Sequence, residues 1–472
     1  MKVLVTGASG YIGRQLADRL SAAGHDVTCM VRNAARPPRL HTAQIKFVEA
    51  DALQAETLPA ALKGIEAAYY LIHSMSGKGE GFELRDRQAA LNFALAASQC
   101  GVRRVIYLGG LAATGGMLSA HLKSRHETGA VLRQFGPPLI ELRAGIIVGN
   151  GSTSFEIIRC LTERLPVMIC PRWVVTRTQP IAVDDVLQYL EAALHLDEPV
   201  NEPIEVGGST IETYRSMMLA YARHRGLRRL LLRVPVLTPR LSSYWLDFVT
   251  AVPPAISRPL IEGLRSESVC TTMLADRLFP GIRPVSYSAA VQRVLGRPAP
   301  LMPLPSMGGA THRTFRAEGI VCDVRETIVD APPERVFELI GNIGGKNGWF
   351  YANLLWSVRG WIDQIIGGVG MKRGRSRPSG MEAGDVIDFW QVVRADPPST
   401  VLLRAEMKLP GEAWLQFNLK RQSYNRTLLR CCAWFQPRGL AGEIYWYGLY
   451  PVHALIFSGM LRAIRKHTEQ SS

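Results

Sequence analysis

The sequence has no cysteine pair in the CxxC spacing of a metal or redox motif, and it has no grouped cysteines and histidines. Its eight cysteines are scattered, most of them in apolar segments, at Cys29, Cys100, Cys160, Cys170, Cys270, Cys322, Cys431 and Cys432. Buried free thiols in a reducing compartment are the expected state. A structural or catalytic metal site is therefore not predicted.

Runs of like charge are also missing, although the formal net charge is +15. Basic residues spread along the whole chain argue against nucleic-acid binding, and a phosphorylated cofactor, an anionic lipid surface or simple solubility each explain the excess. The N-terminus enters an apolar strand at once, without the residue order of a signal peptide. The sequence predicts a cytoplasmic protein that binds no nucleic acid.

No apolar stretch is long enough and continuous enough to indicate a transmembrane helix. The best candidate, 440–461, is interrupted by Glu443 and His453, and Pro451 is expected to break its helical pattern. Three cations follow it directly, Arg462, Arg465 and Lys466. Peripheral contact with a membrane therefore stays an open alternative.

The most informative stretch that is present lies at the N-terminus. The apolar run 3–5 is followed by Gly7, Gly10 and Gly13, and then by apolar residues at the spacing of one helix face. Glycines in a turn between strand and helix let the backbone approach a pyrophosphate, and the helix N-terminus offers free N–H groups. The spacing is GxxGxxG, one residue away from the GxGxxG fingerprint, and it predicts a bound dinucleotide.

Strand and helix patterns alternate through the first 150 residues. The patterns predict strands over 3–5, 26–31, 45–48, 67–72, 104–108 and 139–143, and helices over 58–62, 84–100 and 121–135. Six strands alternating with helices indicate an α/β, doubly wound parallel sheet.

Four stretches together carry a family resemblance: VLVTGASGYIG at 3–13, AALNF at 89–93, VIYL at 105–108 and QPIAVDDV at 179–186. Over about residues 1–297 the chain resembles the atypical or extended short-chain dehydrogenase/reductase superfamily, above all its NmrA-like and complex I 39 kDa subunit-like branches. The resemblance implies an NAD(P)-binding Rossmann domain with a small substrate lobe over about 145–297.

The resemblance also implies which residues contact the cofactor. Asp51 and Ala52 match the adenine contact, and Leu71, His73 and Ser74 lie where the chain passes the ribose and phosphates. His73 is equally well interpreted as a strand-end histidine without a chemical role. The glycine loop contributes the remaining implied contacts: Gly7, Ser9, Gly10, Tyr11, Ile12 and Gly13.

The choice of cofactor follows from charge at the end of the second strand. NAD-preferring folds place an acidic residue there, whereas an arginine accommodates the 2′-phosphate of NADP. This position holds Arg32, Arg36 and Arg39 follow, and Arg14 comes directly after Gly13. The sequence predicts NADP(H), with NAD(H) as the alternative if these arginines only form a solvated loop.

The usual catalytic residues of the superfamily are absent. Active members carry Tyr-x-x-x-Lys on one helix face, and a Ser or Thr where this chain has Gly109 and Gly110. The best structural match is His121 for the tyrosine and Arg125 for the lysine, since four residues place both on one helix face. Histidine can transfer a proton near neutral pH and arginine can bind ribose or phosphate. The alternative is a polar helix start in which His121 caps the helix or is solvated.

A proline- and glycine-rich segment over 298–317 predicts a linker, and a second domain is expected over 318–472. Its patterns predict strands over 323–329, 386–393, 401–407, 413–420 and 428–435, and helices over 330–340 and 450–464. This order resembles the START or polyketide-cyclase-like helix-grip fold, specifically a DUF2867-type domain. The resemblance implies an α+β domain with an apolar cavity between a curved sheet and a long C-terminal helix.

Two apolar features suggest a lipophilic ligand. The proline-punctuated segment 234–254 is predicted to form a lid or groove, although core packing explains it nearly as well. Aromatic residues of the second domain are expected to line a pocket, to form a membrane-facing patch or simply to fill the core.

Three functions remain open from the sequence. The first is an NADPH-dependent oxidoreductase that acts on a lipophilic carbonyl or quinone-like compound. The second is a non-catalytic NADPH-binding redox sensor or assembly factor, and the third is a lipid or isoprenoid carrier. The sequence does not indicate the substrate, the reaction direction or the oligomeric state.

Overall fold

The computed structural model describes residues 1–35, 37–38, 40, 42, 44–73, 81–112, 119–170, 172–198, 200–233, 266–296, 307, 310–370, 374–377 and 379–470. The chain divides into two compact units. The first comprises Met1–Thr162 and Pro166–Arg297, and the second comprises Glu163–Leu165 and Pro298–Ser472.

The first unit alternates strands and helices. Its strands are β1 (Lys2–Val5), β2 (Asp26–Val31), β3 (Lys46–Glu49), β4 (Ala67–Tyr70), β5 (Arg104–Gly110), β6 (Leu139–Ala144), β7 (Ile147–Val148), β8 (Val167–Cys170), β9 (Arg177–Thr178), β10 (Ile181–Ala182), β11 (Ile204–Val206), β12 (Glu212–Thr213) and β13 (Leu230–Arg233). Its helices are α1 (Tyr11–Ala22), α2 (Leu58–Leu62), α3 (Phe82–Gln99), α4 (Ala120–Phe135), α5 (Thr153–Arg164), α6 (Val183–Ala192), α7 (Tyr214–His224), α8 (Leu274–Leu278) and α9 (Tyr287–Gly296).

Seven of these strands form one sheet in the order β11-β6-β5-β4-β1-β2-β3. Every pairing in it is parallel. The strand order reverses between β1 and β4, which is the position where open α/β sheets bind ligands beyond the carboxyl ends of their strands. The predicted doubly wound, Rossmann-like sheet is confirmed.

Both faces of this sheet are covered, as β1 illustrates. Val3 and Val5 pack into a core with Leu16 and Leu20 of α1, whereas Leu4 points to the other face and packs into a core with Phe93 of α3. A parallel sheet buried on both faces explains why its strands read as short continuous apolar runs.

The part of the first unit beyond β6 contains short paired strands and helices. β7 pairs with β10, β9 with β12 and β8 with β13. The helices α5 and α6 belong to this part of the chain. The proline-punctuated segment 234–254 lies outside the described residues.

The second unit contains an antiparallel sheet and helices. Its strands are β14 (His312–Ala317), β15 (Ile320–Val329), β16 (Val386–Ile387), β17 (Trp390–Asp396), β18 (Thr400–Ala405), β19 (Gly411–Ser423) and β20 (Arg426–Pro437). Its helices are α10 (Pro333–Gly341), α11 (Asn353–Ile365) and α12 (Gly439–Gln470). The sheet order is β14-β15-β20-β19-β18-β17-β16, and α12 packs on β15 and β20. The sheet begins at His312, inside the segment expected to be linker.

The prediction of one strand over 386–393 was wrong. The chain turns back at Asp388, whose φ is 54°, so that Ile387 of β16 faces Trp390 of β17 in an antiparallel pair. The Asp388 carboxylate accepts a hydrogen bond from the Trp349 indole N–H at 2.9 Å. A tight turn inside an apolar run carries no glycine or proline signal, so the strand pattern alone hides it.

The prediction that Pro451 breaks the last helix was also wrong. α12 is 32 residues long, with Pro451 inside it, and extends beyond the predicted 450–464 at both ends. Proline removes one N–H and frees the carbonyl four residues earlier, that of Tyr447. Both Pro451 and Tyr447 are exposed, so water can satisfy that carbonyl.

Candidate functional site

The turn between β1 and α1 can be built only from glycines. Gly7 has a φ of +64°, and a Cβ on it would lie 2.6 Å from the carbonyl oxygen of Leu71. A Cβ on Gly13 would lie 2.3 Å from the carbonyl oxygen of Gly7. The first turn of α1 therefore packs directly on the loop, and the loop packs directly on the end of β4.

Thr6 fixes the two strands that flank this crevice. Its buried hydroxyl donates to the Tyr69 carbonyl at 3.0 Å and accepts from the Leu71 N–H at 3.0 Å. One side chain thus joins the carboxyl end of β1 to that of β4.

The N-terminus of α1 opens onto this crevice. Gly10 is its N-cap residue, and no side chain among the described residues caps it. The N–H groups of the first turn and the positive end of the helix dipole are therefore available to an anion.

A cavity of about 610 Å³ lies beyond the ends of β1 to β4, and we call it the nucleotide cavity. Eight of the predicted cofactor residues line it: Gly7, Ser9, Gly10, Arg32, Asp51, Ala52, Leu71 and His73. Tyr11, Ile12 and Gly13 form the first turn of α1 beside it. Ser74, Arg36 and Arg39 lie outside the described residues, and Arg14 continues α1 away from the lining.

Ile72, within the predicted segment 71–74, also lines the cavity. Sequence reasoning missed other residues of this lining: Met30, Val31, Asn33, Pro38, Leu53, Arg85 and Ala89. Arg85 is the most telling, because its Nε and Nη2 atoms are buried and have no hydrogen-bond partner in the described part of the chain. A buried guanidinium without a partner is costly unless an anion meets it. Arg85 precedes Ala89 of the AALNF motif by four residues, so both lie on the same face of α3. This spacing could have indicated that Arg85 faces the cofactor.

These features fit a phosphorylated dinucleotide. The glycine loop permits close backbone approach, the α1 N-terminus attracts phosphate, and Arg32 and Arg85 add two cations to the cavity wall.

Three side chains form a hydrogen-bonded chain next to this cavity. His73 Nδ1 lies 3.0 Å from Asp86 Oδ2, and His73 Nε2 lies 3.0 Å from His121 Nδ1. The Ser124 hydroxyl donates to the same Asp86 oxygen at 3.1 Å. We call Asp86, His73 and His121 the relay. It connects α3, the end of β4 and the start of α4, which are far apart in sequence.

The environment of the relay favours neutral imidazoles. The pKa of His121 is lowered to about 3. Burial is the largest cause, and the neighbouring His73 and Arg125 act in the same direction. Burial also lowers the pKa of His73, and its hydrogen bond to Asp86 partly opposes that shift.

The hydrogen-bond pattern then assigns the tautomers. Asp86 accepts, so His73 donates from Nδ1 and accepts at Nε2, and His121 donates from Nδ1. Nε2 of His121 is left as an acceptor.

The contacts of His121 and Arg125 do not fit the alternative in which His121 caps α4 or is solvated. Ser119, not His121, caps α4, by accepting from the Leu122 N–H. The Arg125 guanidinium donates to the Leu108 carbonyl and lies 5.3 Å from the ring centroid of Tyr107. His121 is therefore neither a cap nor simply solvated, and ribose binding by Arg125 stays a prediction.

Packing explains the glycines at the end of β5. A Cβ on Gly110 would lie 2.8 Å from the Leu122 side chain, and one on Gly109 would lie 3.3 Å from Tyr107. A Ser or Thr at this point of the superfamily pattern would require the Leu122 side chain to repack.

Within the described residues there is no group of three metal-ligating side chains, and no helix there is long and apolar enough to cross a membrane. All eight cysteines are free thiols, and six of them are buried.

Comparison with known families matches each unit of the chain. Residues 7–136 match the NAD(P)H-binding family, and residues 319–460 match the family described as a protein of unknown function, DUF2867.

Curated relatives cover part of the chain. A ceramide reductase from Caulobacter vibrioides is 27% identical over 167 residues, which is 35% of this chain and 52% of the relative. A photosystem II assembly factor from Synechocystis sp. is 27% identical over 107 residues, 23% of this chain and 33% of the relative. The chain thus spans between a third and about half the length of these curated relatives.

Among solved structures, an NADPH-dependent quinone oxidoreductase from Escherichia coli, in complex with NADPH, superposes with a TM-score of 0.52 at 18% identity. The match covers 62% of this chain and all of the oxidoreductase. At this identity the likeness supports the Rossmann-like fold.

Proposed function

We propose that this chain, which carries an NAD(P)H-binding domain of the NmrA-like, atypical short-chain dehydrogenase/reductase kind at its N-terminus and a DUF2867 domain at its C-terminus, is an NADPH-dependent reductase of a lipophilic carbonyl or quinone-like compound. The observation that carries the proposal is the relay of Asp86, His73 and His121, which reaches the nucleotide cavity through His73.

NADPH, rather than NADH, is the proposed cofactor. Arg32 lies at the end of β2 and lines the cavity, at the position where an acidic residue would bind an unphosphorylated ribose. Arg85 adds buried N–H groups that have no partner among the described residues. Two cations favour the more highly phosphorylated cofactor.

The relay supplies the proton that reduction of a carbonyl needs. A bound NADPH would supply a hydride, to the carbon of a carbonyl or to the conjugated system of a quinone, and would thereby be oxidised to NADP⁺. Proton transfer starts from the state in which His73 carries a proton on both ring nitrogens, so that His121 accepts at Nδ1 from His73 and carries its own proton on Nε2. The substrate oxygen takes the proton from Nε2 of His121, while Nδ1 of His121 takes one from Nε2 of His73. Both imidazoles are then neutral, in the tautomers assigned above. The product is an alcohol or a hydroquinone.

The charges around the relay favour proton donation by His121 and proton uptake by His73. Asp86 stabilises a proton on His73, whereas the low pKa of His121 prevents it from keeping a positive charge. An extra proton taken up from solvent therefore resides on His73 rather than on His121, and because burial lowers the pKa of His73 as well, this protonated state is transient. Between turnovers solvent returns the proton to His73.

The relatives support the lipophilic substrate class. One curated relative is named a ceramide reductase, and a superposing structure is a quinone oxidoreductase. Both names describe reduction of a carbonyl-bearing or quinone compound of apolar character.

The experiment is a single-turnover reaction of the full chain loaded with NADPH, mixed with a panel of hydrophobic aldehydes, ketones and quinones. The expected result is loss of NADPH absorbance with at least one compound, and a rate lower by about 10²-fold or more in His121→Phe, the usual range for a lost general acid. NADPH affinity should stay unchanged in that variant.

A second candidate is a non-catalytic NADPH-binding sensor or assembly factor. Gly109 and Gly110 stand where the superfamily carries a Ser or Thr, the Tyr and Lys pair is missing, and one relative is named an assembly factor. Tight NADPH binding without consumption across the whole panel would favour this candidate.

A further inference from the structure

The helix α11 of the second unit presents a face to solvent that consists only of apolar side chains. Leu354 is 77% exposed, Trp361 is 64% exposed and Ile365 is 63% exposed. The exposed set repeats at the spacing of one helix face: Leu354, Leu355, Val358, Trp361, Ile362 and Ile365. Isolated exposed apolar residues are common on proteins, but a continuous stripe of this size marks an interaction surface.

The opposite face of α11 is fixed in the domain core, so the apolar stripe cannot turn inward. Trp356, Gly360 and Asp363 are buried. The Asp363 carboxylate accepts hydrogen bonds from the Lys408 and Gly370 backbone N–H groups, each at 2.8 Å. Rotating the helix would remove these partners from a fully buried charge, which is strongly unfavourable.

Apart from the Trp361 indole N–H, the side chains of the stripe offer no hydrogen-bonding group to a partner. Ser357, at its border, donates its hydroxyl to the Asn353 carbonyl of the same helix at 3.0 Å. Protein interfaces carry about one hydrogen bond per 100–200 Å², whereas the acyl region of a bilayer requires none. The composition of leucine, isoleucine, valine and one tryptophan suits the boundary between headgroups and acyl chains.

Positive charges lie at the ends of this helix. The Lys408 ammonium group donates to the Ile366 carbonyl just beyond α11 at 3.0 Å, and Lys346, which precedes the helix, is exposed. Cations beside an apolar helix face are complementary to anionic lipid headgroups.

We propose that α11 docks the second unit on the surface of an anionic lipid bilayer, with its apolar stripe among the outer acyl chains and these cations at the headgroups. The helix has 13 residues and is about 20 Å long, too short to cross a hydrocarbon core of about 30 Å. It therefore lies in the plane of the membrane surface. This inference goes beyond the proposed reductase function and does not depend on it.

The experiment measures partition of the full chain onto vesicles of phosphatidylcholine with and without phosphatidylglycerol. Wild type should bind the anionic vesicles, and bilayers with brominated acyl chains should quench part of its tryptophan fluorescence. Trp361→Glu combined with Ile365→Glu should lower the partition coefficient at least about tenfold, because charged side chains are excluded from the acyl region. Trp361→Phe should retain binding and lose most of the quenching.

Tyr424→Glu combined with Val393→Glu is the matched control, since it adds the same two negative charges at residues that are 92% and 45% exposed in the same unit and outside α11. It should bind nearly as well as wild type. Equal binding by the α11 double variant and the control would overturn the proposal, because binding would then follow net charge alone. A dimer of the wild type that the α11 double variant dissociates would also overturn it, by assigning the stripe to a second copy of the chain.

Discussion

At the scale of single residues, the nucleotide cavity depends on two arginines in different situations. Arg32 is exposed at the end of β2, whereas Nε and Nη2 of Arg85 are buried without a partner in the described part of the chain. Arg32 can be solvated when no cofactor is bound, and Arg85 cannot be fully solvated. Their replacement should therefore affect cofactor binding and the stability of the free protein differently.

Replacing Arg85 should weaken NADPH binding without destabilising the free protein. Arg85→Met removes a charge-assisted contact worth roughly 1.5–3 kcal/mol, which is about ten- to hundredfold in Kd. The apparent Tm without cofactor should stay equal or rise, because the substitution removes the buried Nε and Nη2 of Arg85, which have no partner among the described residues. Calorimetric titration and thermal scanning check both values. Arg87→Met, on the same helix in an exposed ion pair with Glu127, should change neither.

Replacing Arg32 should change the choice between the two cofactors. Arg32→Glu should weaken NADPH binding at least about tenfold and leave NADH binding nearly unchanged, because only the 2′-phosphate distinguishes them. Parallel titrations with both nucleotides measure the ratio. The same charge change at Arg103→Glu, an exposed residue before β5, should leave the ratio as it is. Equal loss for both nucleotides would show that Arg32 does not contact the 2′-phosphate.

At the scale of the elements, the turn between β16 and β17 depends on the buried Asp388 carboxylate, to which the Trp349 indole N–H donates at 2.9 Å and the Gly345 backbone N–H at 3.2 Å. Asp388 is only 2% exposed, and its carboxylate accepts from the Trp349 indole N–H. Trp356 contacts the same aromatic cluster, with its ring centroid 4.9 Å from that of Trp349, and its own N–H has no partner among the described residues. The two tryptophans thus share an environment and differ in hydrogen bonding.

This pair predicts a difference between two similar substitutions. Trp349→Phe should lower the free energy of unfolding by about 1–3 kcal/mol more than Trp356→Phe, since only the first leaves a buried carboxylate short of a donor. Denaturant unfolding followed by far-UV circular dichroism measures both variants. Equal losses would mean that the Asp388 contact adds nothing beyond packing.

The elements also show how far sequence patterns carry a structural prediction. Short apolar runs predict β1 to β6, because the sheet is buried on both faces, and helical periodicity predicts the long helices of the first unit, because each buries one face. The glycine loop predicts the cavity, because only glycine fits at Gly7 and Gly13. The turn at Asp388 depends on a contact with Trp349, which is distant in sequence. The continuation of α12 beyond Pro451 depends on solvent exposure of that residue. Neither is visible in the local sequence pattern. The relay was not predicted as a unit, because it joins Asp86, His73 and His121 across three elements.

At the scale of the whole molecule, burial of histidines couples folding to pH. The pKa values of His25, His73, His121, His126 and His453 all lie below the ordinary 6.5, with burial as the largest cause. Below about pH 6.5 the unfolded chain therefore binds more protons than the folded chain. The stability that these groups contribute is complete above pH 6.5 and is lost as the pH falls toward their folded pKa values.

His453 of α12 allows a direct test of this coupling. Burial lowers its pKa to about 4, Arg359 lowers it as well, and Asp323 opposes them. From about pH 7 to about pH 5, wild type should lose roughly 2 kcal/mol more than His453→Gln. Tryptophan fluorescence during denaturant unfolding measures the free energy of unfolding of the second unit at each pH. Seven of the nine tryptophans lie in that unit, and only Trp173 and Trp245 lie in the first. If both proteins lose the same free energy of unfolding between these pH values, His453 is not the group that causes the pH dependence.

The central claim is that the nucleotide cavity and the relay together reduce a substrate. The most direct measurement is the single-turnover absorbance of bound NADPH after mixing with lipophilic carbonyls and quinones, for wild type and His121→Phe. We expect wild type to consume one NADPH per chain with at least one compound, and His121→Phe to react about 10²-fold more slowly at unchanged NADPH affinity. Tight binding without consumption across the panel, or equal rates in the two proteins, would contradict the claim.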